Sequence, residues 1–300
     1  MRRLLKWLGV VVAVLVGLVA VAVLFVAIAS ERRIDKTYDI AVAPLILPTD
    51  AASLAEGQRL ATIRGCTECH GADLGGQAFI DEPMLATVHA ANLTGGEGSA
   101  TADYAVEDWV RAIRHGIGAD GRSLVIMPSY EFSGISDEQL GQLVAYLESV
   151  APVNRDFPEP KFGLMGRTLF IAGQFPTLLP AEVVDHMAVA PASVPARASV
   201  EYGAYLAASC TGCHQANLGG GPIPGQPPDA LPSADLTPSG HLSGWTLDGF
   251  VHTLRTGVTP EGKELDPAMM PWTLTREMTD VELEALWLYL SSLPPIASAQ

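Results

Sequence analysis

The chain has 300 residues, of which 48% are hydrophobic and 17% charged, so it can bury a sizeable core and is not a disordered protein. Its net charge of −15 excludes a nucleic-acid binder, which needs basic surface to neutralise phosphates. Four cysteines in this length are too few for a disulfide-built scaffold.

The first predicted element is a membrane-spanning helix. Residues 7–29 form a run of 23 uncharged residues, long enough to cross a hydrocarbon core of about 30 Å. Arg2, Arg3 and Lys6 precede the run, which favours a cytoplasmic N-terminus and places the remaining chain on the periplasmic side of the inner membrane. The alternative is a cleaved signal peptide, since Ala27-Ile28-Ala29 resembles a cleavage site, although a signal peptide's apolar core is usually about 7–15 residues. We therefore expect an uncleaved anchor over residues 1–33.

The rest of the sequence repeats itself. Two C-x-x-C pairs lie 144 residues apart, and the segments that follow each pair return in the same order. Matching pieces are N-L-T at 92–94 and D-L-T at 235–237, Arg114 and Arg255, Met127-Pro128 and Met270-Pro271, and Tyr146 and Tyr289. This order predicts a duplicated domain, with copies over 34–150 and 200–300. Between them, residues 151–199 contain seven prolines and are expected to form an extended connector lying along the domains.

Each copy is predicted to be helical, and the chain therefore to be all-α. In the first copy, Asp50 or Ser53 can start a helix that runs to Gly65, and a second helix is expected from about Ala105 to His115. Capping boxes start the last helix of both copies, at Ser136 with Gln139 and at Thr279 with Glu282. No stretch shows sustained two-residue alternation, so no strand is predicted.

Both C-x-x-C pairs are followed directly by histidine. They read Cys66-Thr67-Glu68-Cys69-His70 and Cys210-Thr211-Gly212-Cys213-His214. C-x-x-C-H is the attachment signature of c-type haem, in which two thiols bind the macrocycle and the histidine reaches the iron. A thioredoxin-like pair would need a nearby βαβ pattern, and a four-cysteine zinc site would not require a histidine after both pairs. The motifs predict two covalently bound haem c groups.

A sixth ligand for each iron is predicted from the repeat. Met127 lies 58 residues after Cys69 and Met270 lies 57 residues after Cys213, each before a proline. Methionine is a common sixth ligand of low-spin haem. Met269 is the neighbouring alternative to Met270. The other methionines have no counterpart and are expected to fill the core, and the histidines at 89, 115, 186, 241 and 252 are expected to be surface or packing residues.

The order of these motifs resembles class I cytochrome c domains, over residues 51–150 and 200–295. More specifically, it resembles the multihaem cytochrome c subunits of membrane-bound alcohol and gluconate dehydrogenases. The resemblance implies an all-α fold around each haem, His/Met ligation and electron transfer. Those subunits usually carry three haem domains, whereas this chain has two and an N-terminal anchor.

The expected function is that of a membrane-tethered dihaem electron carrier. It would relay single electrons between a dehydrogenase or quinol-oxidising complex and an oxidase, reaction centre or soluble cytochrome, with no independent catalysis. The alternative is a dihaem cytochrome c peroxidase, which needs an open sixth position; the Met-Pro pair in both copies argues against it. Acidic residues outnumber basic ones by nine over 51–150 and by eight over 201–300, which predicts a redox partner with a basic docking surface.

Overall fold

Helices dominate the structure, as predicted. The computed structural model describes residues 2–223, 225–226 and 229–296, so the last four residues of the second predicted domain lie outside the described part. The helices are α1 (Arg2–Ile34), α2 (Ala51–Ile63), α3 (Cys66–His70), α4 (Val106–Val110), α5 (Ser129–Phe132), α6 (Asp137–Ser149), α7 (Leu164–Ile171), α8 (Val200–Ala207), α9 (Thr211–His214), α10 (Leu247–Thr256), α11 (Trp272–Thr275) and α12 (Asp280–Ser292).

The long N-terminal helix α1 is apolar and unburied along most of its length. It is the one helix among the described residues that is long and apolar enough to cross a membrane, a property that an anchor and a signal sequence share. Its last turn differs, because Ser30 is fully buried and Arg167 of α7 donates hydrogen bonds to the Ser30 hydroxyl and to the Glu31 carboxylate. The end of α1 is thus held by the folded body.

Two equivalent helix pairs organise the two copies. In the first copy α2 packs against α6, and in the second copy α8 packs against α12. Each crossing is close because a glycine faces the partner helix. A side chain at Gly57 would overlap the Gln142 carbonyl and come within 2.7 Å of the Tyr146 Cβ atom. The same holds at Gly203, which lies against Ala285 and Tyr289.

The helix starts follow the predicted caps, with one difference. Asp50 is the cap of α2, since its carboxylate accepts from the Ser53 N–H, and Thr279 with Glu282 forms the full capping box of α12. Ser136 caps α6 through the Gln139 N–H. The Gln139 side chain, however, accepts a hydrogen bond from the Tyr205 hydroxyl at 2.7 Å. The box predicted there is half formed because a residue of the second copy binds its glutamine.

A small antiparallel sheet is the part of the fold that sequence patterning missed. Strands β1 (Gln77–Glu82) and β2 (Ala86–Ala90) form a hairpin, and β3 (Lys161–Phe162) pairs with β2. Alternation in β2 lasts for only five residues, and β1 is mostly exposed, so neither strand carries a sustained pattern. Because β3 belongs to the proline-rich connector, the sheet joins that segment to the first copy.

The connector also contacts the first copy outside the sheet. The Asn92 side-chain amide donates to the Val153 carbonyl at 2.7 Å, and the Arg155 guanidinium pairs with the Asp73 carboxylate at 2.9 Å. Further on, it forms α7 and a short 3₁₀ turn over Pro180–Glu182. The segment therefore lies on the surface of the folded body.

Two separate cores result, one for each copy. The first includes Ala61 of α2 and Leu140 and Val144 of α6, all fully buried, beside Trp109 of α4. The second includes Tyr202 of α8, Phe250 of α10, and Leu283 and Leu286 of α12. The duplication seen in the sequence is thus a duplication of packing.

We predict that Gly57→Ala destabilises the protein. The added methyl group would meet a backbone carbonyl that cannot rotate away, so overpacking should outweigh the better helix propensity of alanine and lower the free energy of unfolding by about 2 kcal/mol. Denaturant unfolding of the haem-loaded protein measures the change.

Gly134→Ala is the matched control, because a side chain there has open space around it. It should leave the unfolding free energy within about 0.5 kcal/mol of the parent. Equal effects of the two substitutions would contradict the close crossing.

Candidate functional site

The first C-x-x-C-H motif forms a helix of its own. Helix α3 (Cys66–His70) follows α2 after a left-handed turn at Gly65, with φ of 76°. Cys66 packs beside the first core, and burial raises the pKa of its thiol to about 12. The motif is thus presented directly by the helix that crosses α6.

The second motif has the same construction. A 3₁₀ turn at Ala208–Cys210 continues from α8 and leads into α9 (Thr211–His214). Cys210 packs beside the second core, and burial raises the pKa of its thiol to about 12. None of the four cysteines pairs with another in a disulfide.

Both histidines are oriented by the same hydrogen bond. The Nδ1 atom of His70 lies 2.7 Å from the Ala91 carbonyl, and that of His214 lies 2.8 Å from the Ala234 carbonyl. Since a carbonyl only accepts, Nδ1 carries the proton in each ring and Nε2 is left with a lone pair. Burial lowers the pKa of both rings, against the effect of these hydrogen bonds. Each ring is therefore a neutral imidazole whose Nε2 lone pair can bind a metal ion.

The two predicted methionines occupy equivalent turns. The Ser129 N–H donates to the Met127 carbonyl at 2.8 Å, and the Trp272 N–H donates to the Met270 carbonyl at 2.7 Å. Met127 packs against the same core cluster as Cys66, and Met270 against the same cluster as Cys210. Each copy thus has two thiols, one imidazole and one thioether in matching positions.

The structure distinguishes Met270 from its neighbour. Met269 is 40% exposed, whereas Met270 is partly buried against the second core. Among the unmatched methionines, core filling is right for Met278, which is 7% exposed, and wrong for Met84, Met165 and Met187, which are 72%, 46% and 86% exposed.

Comparison with known proteins gives the same division of the chain. The cytochrome c family model matches residues 54–151 and again residues 200–294. The chain belongs to the cytochrome c family. Cytochrome c domains hold haem covalently and transport electrons, and this chain contains two of them.

Its relatives include subunits of dehydrogenases. The cytochrome c subunit of a quinone-dependent alcohol dehydrogenase from Gluconacetobacter polyoxogenes is 26% identical over 90% of this chain and 64% of that subunit. The gluconate 2-dehydrogenase cytochrome c subunit of Pantoea cypripedii is 34% identical over 36% of this chain and 26% of that subunit. The chain thus spans less than two thirds of these relatives.

Among solved structures, reduced recombinant cytochrome c4 from Pseudomonas stutzeri matches over 82% of this chain and all of its own. The identity is 20% and the TM-score is 0.22, so this match carries no structural argument.

The two cytochrome c domains place their C-x-x-C-H segments next to each other. Arg64, two residues before Cys66, donates to the Ser209 hydroxyl, one residue before Cys210, at 2.7 Å. From α5 of the first domain, the Glu131 carboxylate lies against Gly212, where any side chain would overlap it. Gly212 stands at the position that Glu68 takes in the first motif, so the Glu131 carboxylate occupies the space of a side chain that the first motif has there.

Glu131 is a functional candidate that sequence analysis missed. Burial raises the pKa of its carboxyl to about 7, opposed by the attraction of Arg64. Its negative charge contributes to the raised pKa of Cys69, Cys210 and Cys213, so its field reaches both motifs. No repeat could reveal it, because the corresponding residue of the second domain is Leu274.

The domain interface has an approximate two-fold arrangement. Two residues after Gly57, Arg59 pairs with the Glu282 carboxylate at 2.7 Å; two residues after Gly203, Tyr205 donates to the Gln139 side chain at 2.7 Å. Glu282 and Gln139 each stand three residues after the cap of their helix. The interface therefore contains two equivalent contacts. One is the buried ion pair of Arg59 with Glu282, and the other is the neutral hydrogen bond of Tyr205 with Gln139.

The recurring arginines tie down the last helices. Arg114 pairs with Asp137 at 2.8 Å, and Arg255 pairs with Asp280 at 2.7 Å; each aspartate is the first residue of its helix. Since the methionine loop lies between arginine and helix in both domains, these pairs close that loop.

The other histidines do not recur in a shared contact. His115 and His186 bring their Nδ1 atoms to 3.1 Å, and His89 stacks on Phe157 with ring centres 4.9 Å apart. These contacts agree with the expected packing role.

We predict that Arg59→Leu weakens the domain interface. Glu282 is 1% exposed, and although burial opposes its ionisation, hydrogen bonds from Arg59 and Thr279 keep its pKa below the ordinary value. Removing the cation leaves a buried charge uncompensated, at a cost of about 3 kcal/mol in the free energy of unfolding. The stabilisation is present above the ordinary glutamate pKa and is lost as pH falls through the lowered one.

Two variants serve as controls. Tyr205→Phe removes the neutral counterpart and should cost about 1 kcal/mol. Arg59→Leu combined with Glu282→Gln should recover part of the loss, because no buried charge remains. If Arg59→Leu and Tyr205→Phe cost the same, the ion pair is not a buried one in solution.

Proposed function

We propose that the protein is a membrane-tethered dihaem cytochrome c that relays single electrons. The most direct support is that the two domains have equivalent sites. In each site a backbone carbonyl orients the histidine through Nδ1, and the methionine packs against the same core as the first cysteine of the motif. Cys66 and Cys69 would attach the first haem c, and Cys210 and Cys213 the second. His70 with Met127, and His214 with Met270, would be the axial ligands.

The described residues fit this cofactor. Neutral imidazole Nε2 atoms and a thioether are the donors that low-spin haem iron takes, and Met/His ligation raises its reduction potential. Haem supplies a one-electron couple when bound. The residues of this chain contribute the covalent attachment, the fixed ring orientation of both histidines and the apolar surroundings.

Contact between the two motif segments supports transfer within the chain. Arg64 and Ser209 bring the segments within one hydrogen bond of each other, and the ion pair of Arg59 with Glu282 holds the domains together. An electron accepted at one domain can therefore leave from the other. Two fully ligated irons leave no position for substrate, so no independent catalysis is proposed.

The donor is proposed to be a dehydrogenase or a quinol-oxidising complex, and the acceptor an oxidase, reaction centre or soluble cytochrome. Relatives that are subunits of alcohol and gluconate dehydrogenases support the first part. The excess of acidic residues in both domains supports partners with basic docking surfaces. We further propose that α1 is retained as a single-pass anchor in the inner membrane, with both domains on the periplasmic side.

We predict that Met270→Leu opens the second site. Loss of the thioether should convert about half of the haem signal from low-spin to high-spin and lower one of two reduction potentials. Optical and electron paramagnetic resonance spectra with a redox titration measure both effects. Met127→Leu should do the same for the first site.

Met269→Leu is the matched control and should leave the spectra unchanged. A change on Met269→Leu alone would reassign the ligand. A high-spin component in the unmodified protein, with rapid cyanide or peroxide binding, would replace the carrier proposal with the peroxidase alternative.

We predict that Glu131→Gln raises the reduction potentials. Removing a negative charge buried between the motifs disfavours the oxidised iron, by on the order of tens of millivolts. The titration is made at about pH 8.5, where a carboxyl of pKa about 7 is ionised. Glu138→Gln, an exposed change on α6, should shift neither potential.

A further inference from the structure

We propose that three exposed apolar side chains, Met84, Leu164 and Met165, rest in the headgroup boundary of the membrane that α1 spans. We name them the membrane patch. The proposal rests on the proposed anchor, and it adds that the folded body contacts lipid at a defined place. A body on a freely moving tether would have no such place.

Helix α7 is fastened to the end of α1. The Arg167 guanidinium donates to the Ser30 hydroxyl at 2.8 Å and pairs with the Glu31 carboxylate at 2.5 Å. The Arg33 guanidinium lies 4.0 Å from the centre of the Phe170 ring and pairs with Glu182. Three of these contacts, all within one turn of α1, fix α1 and α7 relative to each other, and the fourth joins α1 to the 3₁₀ turn at Pro180–Glu182.

These contacts also give the direction of α7. The earlier residue of α7, Arg167, meets Ser30, and the later residue, Phe170, meets Arg33, so the two helices run the same way along this turn. The first turn of α7 therefore points back along α1 towards its apolar run. Leu164 is three residues before Arg167, about 4.5 Å closer to the membrane core. In agreement, Val26 and Ala27 are half-buried, whereas residues 4–25 are exposed.

The side chains at this end of the body are apolar and unpartnered. Met84 is 72% exposed, Leu164 51% and Met165 46%. They form one patch, because the Gly166 N–H donates to the Met84 carbonyl at 3.4 Å and a side chain at Gly163 would overlap that carbonyl. The patch continues the exposed apolar surface of α1.

The position of the membrane patch beside the end of α1 favours lipid as its partner. The apolar run of 23 residues is about 34 Å long, which exceeds a hydrocarbon core of about 30 Å and leaves its last turn in the headgroup boundary. The patch lies beside that turn. Apolar side chains at this depth bind the membrane by leaving water, as amphipathic interfacial helices do.

The patch would orient the first domain. Because β3 directly precedes α7 and pairs with β2, α7 is joined to the first domain by backbone hydrogen bonds. Lipid contact at Leu164 and Met165 therefore fixes which side of that domain faces the membrane and which side faces a soluble partner.

The test uses spin labels in the full chain. In the haem-loaded protein all four native cysteines are proposed to be bound, so Leu164→Cys and Met165→Cys each add one reactive thiol. The labelled proteins are placed in phospholipid nanodiscs, with the haems reduced. Power saturation should show collisions with oxygen that exceed those with a water-soluble nickel chelate several-fold. Leu231→Cys, a 76% exposed site in the second domain, should show the reverse.

A second measurement uses charge. Leu164→Asp with Met165→Asp should move a label at Met84→Cys from the lipid-like to the aqueous pattern, while α1 keeps the protein in the disc. Water-like collisions at both Leu164→Cys and Met165→Cys would overturn the proposal, as would lipid-like collisions at Leu231→Cys. Immobilisation of the labels only when a dehydrogenase is added would assign the patch to a protein partner and also overturn it.

Failure of the proposed anchor gives a different result. A label at Leu18→Cys reports α1 itself, and the mass of the mature chain shows whether α1 is retained. Lipid-like collisions at Leu18→Cys with aqueous patch labels would reject the patch and keep the anchor. Loss of α1 from the mature chain would reject both, and the haem spectrum tests the cytochrome function independently.

Discussion

The close crossing of first and last helix in each copy is the constraint on which the remaining structure depends. Gly57 and Gly203 let each pair of helices approach until backbone meets backbone. The first helix of a pair leads into a C-x-x-C-H segment, and the last helix begins just after a methionine loop. Crossing them therefore brings thiols and thioether to one core, although they are separated by about 60 residues in the chain.

Duplication then supplies the second level of organisation. Because the two domains have the same fold, each contact across their interface has an equivalent contact between the corresponding residues of the other domain, as in a symmetric dimer. Sequence divergence has made the two meetings unequal: Arg59 with Glu282 is ionic, and Tyr205 with Gln139 is neutral. Likewise Glu131 faces the second motif, while Leu274 approaches Gly65 beside the first. Each kind of meeting is thus charged in one of its two copies and neutral in the other.

Repetition made the helices predictable and selected one candidate ligand set for each copy, and it also set the limit of prediction. Met270 could be chosen over Met269 because Pro271 aligns with Pro128, and Asp50 could be named as a cap from its chemistry. The hairpin over Gln77–Ala90 was not predicted, because its alternation of buried and exposed residues is short and because it is stabilised by pairing with β3, which is distant in sequence. The contacts that Glu131 and the Gln139 side chain make with the other domain were also not predicted, for a different reason. Their partners lie in the other domain, and a residue without a repeat counterpart gives no signal.

An unequal interface has a consequence for electron flow between two otherwise similar sites. Equal sites would have equal potentials and no preferred direction of transfer. The Glu131 carboxylate lies against the second motif, and the Arg64 guanidinium lies between the two motifs, so the two environments differ without any change of ligand. Since α7 of the connector is bonded to the end of α1 and β3 of the connector pairs with the first domain, that electrostatic difference also has an orientation relative to α1. In the proposed electron carrier, side chains that differ between the two copies, rather than the shared scaffold, would set which domain accepts electrons first.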